Sequence, residues 1–200
     1  AFQRQGYAQA ITDPEVLAAI GGTAYGSIAV TYVEWAANTA VVADWMLIDG
    51  LETAQAFADE LTGKPRQAYG RNAIGAALLD ALRLMDTNAH EGWRRVIDFS
   101  GDSANNWSGP SIEEARDTVL AAGVTINALP ILRPDDPGRA QGGLEALYEE
   151  RIIGGPGAFV VTAESRDSFA EAVKRKLILE ISGEMPGQDV AEVERLFEEP

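Results

Sequence analysis

A short buried strand that ends in a polar turn is the feature of this chain that most restricts its fold. Val96, Ile97 and Phe99 form an apolar run without helical period, as in a central parallel strand. Oxygen ligands and turn formers follow directly: Ser100, Gly101, Asp102, Ser103, Asn105 and Asn106. In an open α/β sheet, ligands bind beyond the carboxyl ends of the strands. The stretch therefore predicts a site for a hard cation or a polar partner at this strand end.

Predicted strands alternate with predicted helices along most of the chain. The strands are Ser27–Trp35, Thr39–Ile48, Arg94–Ser100, Val124–Leu129 and Ala158–Thr162. The helices are Phe2–Ile11, a short one opened by Asp13 and Pro14, Leu51–Leu61, Asn72–Met85, one that Ser111 caps, Leu144–Arg151 and Ser165–Ile181. This order predicts an α/β fold with a doubly wound, mostly parallel sheet, one antiparallel edge hairpin and helices on both faces.

The length of 200 residues predicts one domain, which we place at residues 1–183. Residues 184–200 are interpreted as an acidic C-terminal tail, and Arg133–Gly143 is interpreted as a surface loop. No apolar run approaches the roughly 20 residues of a membrane-spanning helix.

The charge and the rare residue types exclude several functions. The net charge is −15, which argues against nucleic acid or an anionic membrane surface as a partner. The chain has no cysteine and one histidine, so thiolate catalysis and metal sites built from several histidines are excluded. His90 is interpreted as a surface residue. Because no pairing of a nucleophile with a base is evident, no catalytic residue is assigned.

The chain resembles a von Willebrand factor type A domain, and more narrowly a family of uncharacterised bacterial exported proteins built on that fold. The matching stretches span nearly the whole chain in order. They are Asp13–Val16, Gly70–Gly75, Val96–Asp102 with Asn105 and Asn106, Gly123–Pro130, and Gly154–Val160 with Arg175–Ile181. The resemblance implies a periplasmic or secreted protein.

The resemblance also implies a metal-ion-dependent adhesion site, whose oxygen ligands come from three loops at the carboxyl end of the sheet. Asp102 matches the third loop, and Asn72 stands where the family has a threonine. The implied cation is Mg²⁺, with Ca²⁺ or Mn²⁺ as alternatives, and Ser100 and Ser103 are further candidate ligands. A protein partner would donate a carboxylate to the metal, and Asn105, Asn106 and Trp107 would form its contact surface.

Each of these residues also has a purely structural interpretation. Asp102 could stabilise its own turn, and Asn72 could cap the helix that follows it. Trp107 could pack beneath its own loop instead of facing a partner. Asp98 lies within the strand and could be a buried, hydrogen-bonded acid.

One part of the family pattern is missing from this sequence. The Asp-x-Ser-x-Ser motif is absent, and the chain begins inside the helix that would follow it. In the family fold, the strand that carries this motif lies between Ser27–Trp35 and Arg94–Ser100. We therefore expect an upstream segment or a partner chain to supply that strand. The alternative is a collapsed sheet in which these two strands pair directly.

Three functional hypotheses follow. The first is a non-enzymatic protein-binding module with a cation-dependent or degenerate adhesion-type site. The second is a structural accessory subunit of a larger assembly, with a non-functional metal site. The third is a metal-dependent phosphohydrolase that uses Asp98 and Asp102, for which no partner lysine motif is evident.

Overall fold

Seven helices and four strands form in residues 2–132 and 143–183, the part of the chain that this computed structural model describes. The strands are β1 (Ile28–Trp35), β2 (Thr39–Ile48), β3 (Val96–Gly101) and β4 (Thr125–Pro130). The helices are α1 (Phe2–Ile11), α2 (Pro14–Gly21), α3 (Leu51–Gly63), α4 (Ile74–Thr87), α5 (Ile112–Ala121), α6 (Gly143–Arg151) and α7 (Phe169–Ser182). The predicted loop, apart from its last residue, and the predicted tail lie outside the described residues.

Local capping signals set the helix starts that the sequence predicts best. The Asp13 side chain accepts a hydrogen bond from the amide of Glu15, with Pro14 in the first turn of α2. Ser111 and Glu114 form the predicted capping box of α5. Both predictions are confirmed. Each of these signals depends only on neighbouring residues, which explains why the sequence predicts them well.

Two predicted helix starts are wrong. Helix α4 begins at Ile74 instead of Asn72, and α7 begins at Phe169 instead of Ser165. Before α7, the hydroxyl of Ser165 accepts a hydrogen bond from the amide of Ser168, so these residues form a turn.

Strands β1 and β2 form the predicted antiparallel hairpin, and β3 pairs with β4 in parallel. Of the predicted strand Ala158–Thr162, Val160 forms an isolated parallel bridge to Ala128, and Ala163, just beyond the predicted end, forms another to Ile131. The segment thus follows β4 without forming a regular strand of its own.

The predicted α/β class is confirmed, and within the described residues the strands form two separate two-stranded sheets, one antiparallel and one parallel. Strand β1 pairs only with β2 and strand β3 only with β4, so β1 and β3 are not hydrogen-bonded neighbours. The collapsed alternative, in which these two strands pair directly, is therefore wrong. Residues of both strands line a cavity of about 1570 Å³, to which α1, α4 and α7 also contribute.

Helices cover both faces of the parallel pair. Ile97 and Phe99 of β3 belong to a core with α4, α5 and α6. On the opposite face, the neighbouring residue Asp98 contacts Lys176 of α7. The alternation follows the twofold period of a strand, and it places polar groups of β3 on the side of α1 and α7.

Candidate functional site

Two loops meet at the carboxyl end of β3. The amide of Trp107 donates a hydrogen bond to the carbonyl of Asn72 at 2.8 Å, which joins the loop before α4 to the loop after β3. The sequence resemblance placed both loops at one site, and the backbone contact brings them together.

Three of the four predicted metal ligands line the same cavity: Asn72, Ser100 and Asp102. Asn72 does not cap α4, because the cap position is Ala73 and no side chain caps that helix. The structural alternative for Asn72, a cap of α4, is therefore wrong. Asn72, Asp102 and Ser100 supply an amide, a carboxylate and a hydroxyl, which are oxygen donors that suit Mg²⁺.

Ser103, the fourth predicted ligand, has a different environment. It is buried, with 7% of its surface exposed, and it is not among the residues that line the cavity. Its hydroxyl oxygen accepts a hydrogen bond from the amide of Asn105 at 3.1 Å, which shapes the turn. Tyr148 holds the same turn by donating to the carbonyl of Ser103 at 3.2 Å.

Asn106 uses both ends of its amide within the protein. Its nitrogen donates to the carbonyl of Pro110 at 2.8 Å, and its oxygen accepts from the amide of Gly75 at 3.4 Å. The side chain therefore ties the site loop to the first turn of α4.

Trp107 is 60% exposed, so it does not pack beneath its own loop. The guanidinium carbon of Arg71 lies 4.9 Å from the centre of its ring, a cation–π distance. Asn105 is exposed beside it. Trp107 and Arg71 form an exposed aromatic and cationic surface next to Asn72, to whose carbonyl the amide of Trp107 donates.

A buried charged cluster lies between β3 and α7. The ammonium group of Lys176 is 2.7 Å from Oδ1 of Asp98 and 2.5 Å from Oε1 of Glu180. Asn127 donates to Glu180 at 2.8 Å. Burial opposes the charge of Lys176, yet the two carboxylates hold its pKa above the usual range. Burial raises the pKa of Glu180, even though Lys176 acts in the opposite direction.

Tyr7 and Ser100 continue this polar group towards the cavity. Burial, followed by the charge of Asp98, raises the pKa of Tyr7 well above its usual value, and a hydrogen bond with Ser100 acts against that rise. The Ser100 side chain thus faces α1, on the same side of β3 as Asp98.

The cluster bears on the phosphohydrolase hypothesis, for which the sequence shows no partner lysine. Lys176 now stands beside Asp98, but its side chain has no exposed surface and is already paired with two carboxylates. A phosphate group would add negative charge to a buried site that holds two carboxylates and one ammonium. This arrangement does not favour phosphate chemistry at Asp98.

Sequence reasoning did not identify Arg71 or Lys176. Arg71 directly precedes Asn72, but its stacking on Trp107 depends on the fold of two distant loops. Lys176 carried a usable signal. It follows Phe169 and Val173 at the helical spacing of the buried face of α7, where a lysine needs a partner.

The metal-ligand set is small. Within residues 2–132 and 143–183, no group of three His, Cys, Asp or Glu side chains could hold a metal ion. A cation at Asn72, Ser100 and Asp102 would have a single carboxylate and would keep several waters, as Mg²⁺ does in proteins. The three side chains thus supply one carboxylate, one amide and one hydroxyl to the lining of the cavity.

These features define a mixed α/β domain with a polar site at the carboxyl edge of its parallel strands. The family model described as "Protein of unknown function (DUF1194)" matches residues 1–185. The chain therefore belongs to the DUF1194 family.

Solved structures share the fold at low sequence identity. Proximal thread matrix protein 1 from the mussel byssus is 14% identical, with a TM-score of 0.61 over 90% of this chain. The chain spans 42% of that protein. An aerotolerance-related membrane protein from Bacteroides fragilis NCTC 9343, with multiple mutations to serines, is also 14% identical. Its TM-score is 0.50 over 87% of each chain.

Among curated proteins, none matches this chain. In the part of the chain that the structure describes, none of the helices combines the length and apolar character needed to cross a membrane.

Gly75 is the position where a small change should disturb the site most directly. A Cβ atom there would lie 2.8 Å from the carbonyl oxygen of Ser111 and closer still to that of Pro110. We expect Gly75→Ala to destabilise the fold by about 2 kcal/mol in urea unfolding, because backbone atoms cannot move aside easily. The gain in helix propensity, about 1 kcal/mol, offsets only part of the clash.

Gly63→Ala is the matched control, because a Cβ atom at that helix position meets nothing within 4 Å. We expect it to be neutral or slightly stabilising. Equal stability of the two variants would contradict the close approach of α4 to the start of α5.

Proposed function

We propose that this chain is a von Willebrand A-like, non-enzymatic protein-binding module of a periplasmic or secreted protein. The observation that carries the proposal is the placement of Asn72, Ser100 and Asp102 on one cavity, beside the exposed Trp107. An exposed tryptophan stacked with an arginine is typical of residues that dominate protein interfaces. The two solved structures add a fold likeness only.

A divalent cation would join the two parts of this site. Asp102, Asn72 and Ser100 would hold Mg²⁺, and a carboxylate from the partner would complete its coordination shell. Trp107 and Asn105 would then contact the partner around the metal. The cation would act as a bridge between two acidic surfaces, which suits a chain with a net charge of −15.

Calorimetric titration with Mg²⁺, Mn²⁺ and Ca²⁺ tests the metal part of the proposal. We expect Asp102→Asn to weaken binding at least about tenfold, since a neutral amide replaces the one carboxylate and even outer-shell changes cost that much. Asp117→Asn, an exposed carboxylate on α5, is the matched control and should bind as the wild type does. The absence of saturable binding by the wild-type protein would rule out the cation-dependent form.

The second candidate is a structural accessory subunit with a degenerate site. Two observations favour it: Asn72 replaces the family's threonine, and Ser103 uses its hydroxyl within its own turn. If the complex with the partner survives a chelator but is lost in the Trp107→Ala variant, the chain acts as a structural accessory subunit. A complex that the chelator dissolves would identify the first.

A further inference from the structure

The loop that joins α3 to α4 has a charge opposite to that of the whole chain. Its residues 64–72 include Lys64, Arg66 and Arg71 and no acidic side chain, whereas the chain has a net charge of −15. Lys64 already pairs with Glu60. Among the described residues, Arg66 and Arg71 take part in no ion pair. The loop therefore offers two guanidinium groups to an external anion.

Each of these two arginines is stacked on an exposed aromatic ring. The guanidinium carbon of Arg71 lies 4.9 Å from the centre of the Trp107 ring, and that of Arg66 lies 5.5 Å from the centre of the Tyr69 ring. Stacking covers one face of a guanidinium and limits its rotation, but the N–H groups at its edge can still donate. Arg66 uses one of them, Nε, to bond the carbonyl of Ala68 at 2.7 Å. The loop thus presents two oriented sets of donors beside two exposed rings.

The backbone beneath these side chains is fixed by the rest of the fold. The Asn38 side chain accepts from the amide of Tyr69 at 2.9 Å and donates to the carbonyl of Gln67 at 3.2 Å. Glu34 accepts from the amide of Gln67 at 2.9 Å, and Ala68 in the middle of the loop is buried. Since such a loop has little backbone entropy to lose on binding, its exposed side chains form a preorganised surface.

This surface is continuous with the candidate site. Arg71 directly precedes Asn72, and the amide of Trp107 donates to the carbonyl of Asn72 at 2.8 Å. A partner that reaches Asn72 would therefore lie beside the stack of Arg71 on Trp107.

The groups on this surface suit the carboxylates of a peptide. A guanidinium edge matches a carboxylate with two parallel hydrogen bonds, and exposed aromatic rings contact apolar side chains. A nucleic acid or an anionic membrane surface would extend well beyond these two arginines. It would then meet the repulsion of a chain with a net charge of −15. A short segment meets mainly the local charge, because salt screens more distant charges within roughly 8 Å.

We propose that the stacks of Arg66 on Tyr69 and of Arg71 on Trp107 bind an acidic segment of the protein partner. Carboxylates of that segment pair with the two guanidinium groups, and its apolar side chains contact the two rings. The inference rests on the proposed protein-binding function and defines the chemistry of the partner. The carboxylate that would complete the metal shell is then one of several acidic side chains in the segment.

Fluorescence anisotropy with a labelled peptide in which glutamate and leucine alternate tests the inference. We expect Arg71→Gln to weaken binding at least about fivefold, because charge-assisted hydrogen bonds are lost. Arg66→Gln should act in the same direction. Arg71→Lys should bind nearly as weakly as Arg71→Gln, because an ammonium keeps the charge but has no planar edge to match a carboxylate. Arg175→Gln, an exposed arginine on α7, is the matched control and should stay within about twofold of the wild type.

Each titration is run once with EDTA and once with Mg²⁺, which separates this inference from the cation-dependent function. If Mg²⁺ has no effect while the arginine variants still weaken binding, the cation bridge fails and the inference stands. If Mg²⁺ strengthens binding and the arginine variants bind as the wild type does, the inference is overturned and the cation bridge stands. The inference is also overturned if the wild type does not bind the peptide. Tighter binding of a single-stranded oligonucleotide or of phosphatidylglycerol vesicles than of the peptide would overturn it as well.

Discussion

Replacement of Lys176 by methionine is expected to destabilise the fold by about 3–5 kcal/mol, the cost of breaking a buried ion pair by removing one partner. Methionine fills much of the lysine volume, so the loss comes mainly from charge. The Lys176 ammonium lies between the carboxylates of Asp98 and Glu180, and no part of its side chain is exposed. Without it, two carboxylates face each other in the interior.

Urea unfolding at pH 7 measures this loss, with Arg175→Met as the control. Arg175 is the exposed neighbour on the same helix, so its replacement removes the same charge from the surface, with an expected effect within about 0.5 kcal/mol. Adding Asp98→Asn and Glu180→Gln to Lys176→Met should recover part of the stability. A Lys176→Met effect no larger than that of the control would show that the cluster is not buried.

The loss of stability caused by Lys176→Met should change with pH in a definite direction. Burial already raises the pKa of Glu180, and loss of the neighbouring cation raises it further. A carboxyl that binds its proton more tightly in the folded state favours folding at low pH, and its ionisation costs stability above the unfolded pKa of about 4.3. The deficit of the variant should therefore be smallest near pH 4 and larger at pH 7.

The buried position of Lys176 on α7 can be inferred from the sequence, but its pairing with Asp98 cannot. Lys176 and Glu180 are four residues apart on a helix, a spacing that most often marks a solvent-exposed pair. Their burial depends on Asp98, which lies 78 positions earlier in the chain than Lys176. By contrast, Asp13 and Ser111 act within their own turns, which explains why both helix starts could be predicted.

The sheet was predictable only in part, for a related reason. The apolar periods of Ser27–Trp35 and Arg94–Ser100 predict that each is a strand, but a period contains no information about which edges pair. The order of elements suggested a doubly wound sheet, whereas the described strands pair as two separate sheets. The expectation of an empty position there came from the family resemblance, and the cavity is found at that place.

The candidate site was partly predictable. Asn72, Ser100 and Asp102 were selected because they follow strands or precede a helix at one edge, and all three line the cavity. Ser103 and Asn106 carry the same chemistry in the sequence, yet their polar atoms bond within the loop. Ser100, which lines the cavity, is also hydrogen-bonded, to Tyr7, so residue type alone does not distinguish these outcomes.

Arg4→Met is the other substitution for which we expect a large effect, about 3 kcal/mol, the lower end of the range for breaking a buried ion pair. Arg4 is 5% exposed, and its Nε atom is 2.7 Å from Oε1 of Glu34 on β1. Its other nitrogens donate to the carbonyls of Leu61, Lys64 and Pro65. One side chain thus joins α1, β1 and the end of α3, and methionine would leave these acceptors without a donor.

The pH profile of Arg4→Met separates the loss of the ion pair from the loss of packing. Burial opposes the ionisation of Glu34, but Arg4 and the amide of Gln67 hold its pKa below the usual 4.5. A lowered pKa gives stability that is present above the unfolded value and is lost as the pH falls through the folded one. The wild type should therefore lose part of its advantage over Arg4→Met between pH 5 and pH 3 in urea unfolding, to roughly the extent of the ion-pair contribution.

Arg83→Met, a mostly exposed arginine 3.7 Å from Asp80, should show neither the loss nor the pH dependence. An advantage that stays constant over that pH range would assign the role of Arg4 to packing and its carbonyl contacts alone.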